Sequence, residues 1–97
     1  MMDREFLPPA EEEMNEAARF YEERSPGLGL DFLDAVQRTV DAIVAHPNSG
    51  RQLSENIRRR IVQRFPFGVL YSVEPERIVV VAVMHLRRRP GYWKVRI

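Results

Sequence analysis

Apolar residues recur with a helical period in the first half of the chain and with a strand period in the second. Met14, Ala17, Ala18 and Tyr21 follow the i, i+3, i+4, i+7 spacing of one helix face. Pro8-Pro9 stops a short run, Arg4 to Leu7, that reads as a strand, and Pro9 suits a first helical position, whose N–H has no partner in any case. Glu11, Glu12 and Glu13 fill the first turn, where the helix dipole favours carboxylates. Ser25-Pro26-Gly27 ends this helix. Phe32, Leu33, Val36, Val40, Ile43 and Val44 form a second stripe and predict a helix from about Gly29 to Ala45. His46 follows at its C-terminal end, and Pro47-Asn48-Ser49-Gly50 completes the break. The short link between the helices predicts an antiparallel hairpin.

After Gly50 the period becomes two. Ile57, Arg59, Ile61, Gln63 and Phe65 face one way; Arg58, Arg60, Val62 and Arg64 face the other. Pro66 interrupts with a bulge or turn, and Phe67 to Val73 is the next strand. Glu74-Pro75-Glu76-Arg77 turns the chain into Ile78 to His85, which is apolar on both faces and is expected to be central. The order strand, helix, helix, strand, strand, strand predicts an α+β fold, with an antiparallel sheet packed on an N-terminal helical hairpin. The 97 residues are expected to form a single domain, residues 1–97.

Charge divides the chain in the same place. Residues 1–49 carry four Arg and eleven Asp or Glu, a net of −7; residues 50–97 carry eleven Lys or Arg and three Glu, a net of +8. All but one of the fifteen basic residues are Arg, the side chain suited to bidentate recognition of phosphate or carboxylate. The absence of cysteine excludes disulfides and thiolate chemistry, and with only two His a zinc site is not expected. No cofactor is expected. No apolar run reaches the length of a membrane span and no secretory signal opens the chain, so a cytoplasmic location without membrane attachment is expected.

The densest chemistry lies in His85-Leu86-Arg87-Arg88-Arg89-Pro90-Gly91-Tyr92-Trp93-Lys94-Val95-Arg96, at the exit of the last strand. Arg58, Arg60, Arg64, Arg87, Arg88, Arg89, Tyr92, Trp93 and Arg96 are the candidate binding residues. For RNA cleavage, Arg58, Arg60 and Arg87 would surround the phosphorane, and His85 or Tyr92 would transfer the proton. Simpler roles compete. His85 can pack and hydrogen-bond at the strand end, Tyr92 and Trp93 can fold back over the core, and the arginines can form a solvated, salt-bridged face. Arg59, between Ile57 and Ile61, is expected on the apolar face, at an edge or paired with a helix acid.

Three features together resemble the RelE/ParE superfamily of toxins: the element order, Arg64-Phe65-Pro66-Phe67-Gly68-Val69-Leu70-Tyr71, and His85-Leu86-Arg87-Arg88-Arg89-Pro90-Gly91-Tyr92-Trp93. The resemblance spans nearly the whole chain. It implies the toxin of a type II toxin–antitoxin pair of the plasmid stabilisation type, with a cognate antitoxin as partner. Two mechanisms occur in that superfamily. RelE-like members are metal-independent endoribonucleases that cut mRNA on the ribosome, whereas ParE-like members bind DNA gyrase. Arg58, Arg60 and Arg87 match nuclease positions. Gly68 stands where a second-strand Arg would be, and Trp93, with Tyr92 adjacent, aligns with the catalytic Tyr. The resemblance therefore implies a ParE-like gyrase inhibitor, with a RelE-type mRNA endoribonuclease and an inactive basic binding module as alternatives.

Overall fold

The structure, a computed structural model, describes residues 2–97. Strand β1 (Asp3–Phe6) leads into helices α1 (Pro8–Arg24) and α2 (Leu28–Ala45). Strands β2 (Arg51–Gln52), β3 (Arg58–Ile61), β4 (Phe67–Val73) and β5 (Arg77–His85) follow, with 3₁₀ turns at Pro47–Ser49 and Tyr92–Arg96. The five strands form one sheet in the order β1-β5-β4-β3-β2. Neighbours from β2 to β5 pair antiparallel. The edge strand β1 instead runs parallel to β5, with Phe6 opposite Val80, so the sheet is mixed. Parallel neighbours need a long crossover, and both helices lie in the one between β1 and β5.

Leu7, forced extended by the proline that follows it, separates β1 from α1 at φ −64° and ψ 145°. Gly27 makes the tight link between helices at φ +88°, a conformation that strains any residue with a Cβ. The Glu22 carboxylate accepts hydrogen bonds from the N–H groups of Gly27 and Gly29, so an acid from α1 caps the start of α2. At Gly29 the helices nearly touch, since a Cβ there would lie 2.5 Å from the Ala18 carbonyl oxygen.

Two apolar layers result. On the helix side, Phe32, Val36, Val40 and Ile43 of α2 pack with Ala10, Ala17 and Ala18 of α1 onto Val69, Tyr71, Ile78, Val80 and Val83. Phe32 stands edge-on to Phe65 and Phe67, at centroid distances of 5.1 and 4.9 Å. On the outer side, Ile57, Leu70, Val81, Ala82 and Met84 pack beneath Trp93. The Tyr71 hydroxyl donates to the Pro47 carbonyl at 2.7 Å and accepts from the Gly50 N–H at 3.0 Å, which fastens the chain after α2 to the middle of the sheet.

Three details differ from the sequence pattern. The alternation predicts a strand from Ile57 to Phe65, but the ladder stops at Ile61. Arg64 takes φ +74°, the chain reverses, and the Val62 N–H closes the turn on the Phe67 carbonyl at 2.9 Å. The reversal carries Phe65 into the helix-side core, away from the face that period two assigns it. The two-residue β2 was not expected, being too short to show a period. Finally, β5 is an interior strand between β1 and β4, whereas β4 holds the middle place.

Candidate functional site

Arg58 and Arg60 share one face, as the pleat requires, and it is the face under the helices: they stand opposite Tyr71 and Val69. Both guanidiniums turn to the loop after α2. Arg58 Nη1 donates to the Gly50 carbonyl at 2.9 Å and the Asn48 carbonyl at 3.3 Å, and Arg60 Nη1 donates to Ser49 Oγ. Beside them, Arg60, Arg64 and Arg38 with Asp31, Asp34 and Thr39 line a groove of about 300 Å³ between α2 and the end of β3. Its mixed charge suits a partner of mixed charge better than a lone polyanion.

Within the carboxy-terminal segment, the predicted residues divide. His85 ends β5 opposite Phe67, with the rings edge-on at 5.1 Å. Its Nδ1 accepts from the Arg87 N–H at 3.1 Å, which leaves the other ring nitrogen to carry the proton of a neutral ring. Arg87 and Arg89 are exposed and form no ion pair among the described residues. Arg88 lies 3.9 Å over the Tyr92 ring and within 3.3 Å of Glu13. Trp93 is buried in the outer apolar layer.

Tyr92 and Arg96 are committed to Glu13, which is itself half-buried on α1. Arg96 grips the carboxylate with both nitrogens, Nη1 at 2.8 Å and Nη2 at 3.0 Å, and the Tyr92 hydroxyl donates to Oε2. Burial, then the Glu13 hydrogen bond and charge, push the Tyr92 phenol well above the usual tyrosine range, against the opposing pull of Arg96 and Arg88. The topology gives this cluster a purpose. The β1 ladder reaches β5 only as far as Val80, and Leu7 N–H adds one bond to the Val80 carbonyl. Beyond it, Glu13 Oε1 accepts the Val83 N–H at 3.1 Å and Arg96 donates to the Val81 carbonyl at 3.1 Å. Side chains thus satisfy a strand edge that would otherwise lie open.

Sequence reasoning assigned Glu13 to the first turn of a helix and missed this role. Its partners lie 70 to 83 positions away, and no local signal marks them. Arg59 also differs from expectation. It points to the outer face, inside the sheet rather than at its edge, and pairs with no acid among the described residues. Its stem lies across Gly68, where a Cβ would meet Arg59 Cγ and Cδ at 3.0 Å. The gap left by the glycine is filled from the neighbouring strand.

Among the residues considered for cleavage, His85 and Arg87 are neighbours, whereas Tyr92 lies away from the strand arginines. Arg60 on β3 and the Tyr92–Glu13 cluster beyond β5 are separated by two strand spacings, roughly 10 Å or more. A proton-transfer group has to sit within hydrogen-bond reach of the reacting atoms. Among the described residues no cluster of three or more acids or histidines suits a metal ion, and no helix is long and apolar enough to cross a membrane.

No curated protein matches the chain in sequence. Among solved structures, a chain of the "Chromosomal ParDE TA system from P. aeruginosa" shares its fold, with a TM-score of 0.65 and 22% identity over 88% of this chain and 96% of that one. The sequence profile of the family described as the ParE toxin of the type II toxin-antitoxin system, parDE, matches residues 4–90, and on that extent the chain belongs to the ParE toxin family.

Proposed function

We propose that this toxin arrests growth in the cytoplasm by binding DNA gyrase, without cutting RNA, and that a cognate antitoxin neutralises it. The observation that carries the reading is the separation of Tyr92 from Arg58 and Arg60. Arg58 and Arg60 are spent on loop carbonyls and a serine, Tyr92 is held on Glu13, and Trp93 is buried. The exposed Arg64, Arg87 and Arg89 remain as contacts for a target, with the groove beside Arg60. The antitoxin would supply an acidic, partly apolar segment that folds onto the basic half of the chain, and its affinity should fall as salt rises.

Expression in bacteria tests the target. We expect induction of the DNA-damage response with intact mRNA. Cuts in the A-site codon of ribosome-bound mRNA would overturn the proposal and point to Arg58, Arg60, Arg87 and either His85 or Tyr92 as the groups to mutate.

A further inference from the structure

We propose that the groove between α2 and the end of β3 docks a protein segment of the toxin's target, one that carries acidic and basic side chains together, with Arg64 as its anchor. The inference rests on the proposed reading of a toxin that binds its target without cutting it, and it names the chemistry of the surface the toxin meets.

The first observation is charge left unpaired at close quarters. Asp31, Asp34 and Arg38 recur at spacings of three and four along α2, so they form one stripe, and that stripe lines the groove. Arg60 and Arg64 line it from the sheet side, across a space of about 300 Å³. Neither acid pairs with any of the three arginines, and none of the five joins an ion pair among the described residues. Asp31, Asp34, Arg38 and Arg64 are exposed, so a partner can reach them. The second is backbone strain. Arg64 takes φ +74°, a conformation that glycine adopts freely and arginine does not. Strain of this kind collects where a particular side chain is needed. Inside the chain the Arg64 guanidinium has only a loose contact with the Phe65 ring, at 5.7 Å. The third is an apolar contact point: Ile61, 46% exposed, lines the same groove.

A protein surface fits this set better than nucleic acid. Phosphates repeated along a strand would bring negative charge against Asp31 and Asp34, and like charges juxtaposed across an interface are penalised. A protein segment can set a carboxylate on Arg64 and Arg38, a cation on the two aspartates and an apolar side chain on Ile61. The stripe from Asp31 to Arg38 spans roughly 10 Å along the helix axis, about two turns, over which a short helix or extended segment can present such a set.

The experiment expresses the intact chain in bacteria and reads the toxin level that halves the growth rate. Arg64→Gly should raise that level about tenfold. The purified variant should unfold at the parent's temperature or above it, because glycine relieves the strain. Asp34→Asn decides the class of partner. It should raise the level as well, since it removes a group that meets a cation. A nucleic-acid contact predicts the opposite, because the substitution then removes a repulsive charge. Full growth arrest by a folded Arg64→Gly protein would overturn the proposal. So would a lower unfolding temperature in that variant, which would make Arg64 a structural residue, or arrest by Asp34→Asn that equals or exceeds the parent's. Arrest without a DNA-damage response would remove gyrase as the target and leave this test standing, since slowed growth reports any target. A parent chain without effect on growth would end both proposals.

Discussion

On its helix side the sheet is closed by two long amphipathic helices; on its outer side it is closed by the short turn Tyr92–Arg96. The helix side needs no specific polar contact to stay shut, because Phe32, Phe65 and Phe67 interlock with α1 and α2 and exclude water over a broad area. The outer cover has one large anchor, Trp93, and is pinned by Arg96 and Tyr92 on a single carboxylate. Dispersed apolar contact tolerates the loss of any one polar group. A cover that hangs on Glu13 does not. The outer cover also stops short of β3, where the Arg59 stem lies across Gly68 instead.

Breaking each closure at its strongest point should give effects of different size and reach. Phe32→Ala on the helix side should lower unfolding free energy by about 3–5 kcal/mol, read from urea denaturation, because it opens a large cavity in a fully packed layer. Glu13→Gln should cost about 2–3 kcal/mol, since it strands the Arg96 charge, weakens the Tyr92 bond and exposes the β5 edge. Its mark should be local: faster hydrogen exchange at the Val83 amide and a red-shifted Trp93 emission, with Phe32 packing intact. If Glu13→Gln instead loosens both faces equally, the two closures are one cooperative unit.

The smallest effect belongs to Tyr92→Phe, about 1 kcal/mol at neutral pH for one lost hydrogen bond. Its pH dependence is the sharper readout. The folded protein holds the Tyr92 proton above the ordinary tyrosine range, so this stabilisation is complete below about pH 10 and is lost as pH rises further, where the unfolded chain releases the proton first. Denaturation at about pH 8 and about pH 11 should therefore show a smaller alkaline loss in Tyr92→Phe than in the parent. Equal losses would place Tyr92 outside the cluster in solution.

Much of this was legible in the order of residues. Periods of 3.6 and two give both helices and β4 and β5, because each element must bury one face and its own neighbours set that face. Pro8, Gly27 and the His46-Pro47 break mark ends by local backbone sterics, which the sequence carries directly. The family, too, is readable from Arg64–Tyr71 and His85–Trp93, and the match over residues 4–90 bears it out.

What only the tertiary structure decided are the places where residues far apart in the chain meet. The parallel pairing of β1 with β5, the reversal at Arg64 that sends Phe65 inward, and the Arg59 stem over Gly68 each depend on a neighbouring strand. Glu13 is the clearest case. Alone it is one of three acids in a first turn; in the fold it completes the edge of β5 and holds Tyr92 and Arg96. Periodicity reports which face a residue lies on, whereas a charge or a hydrogen bond acquires its role from the partner that the fold brings within 3 Å.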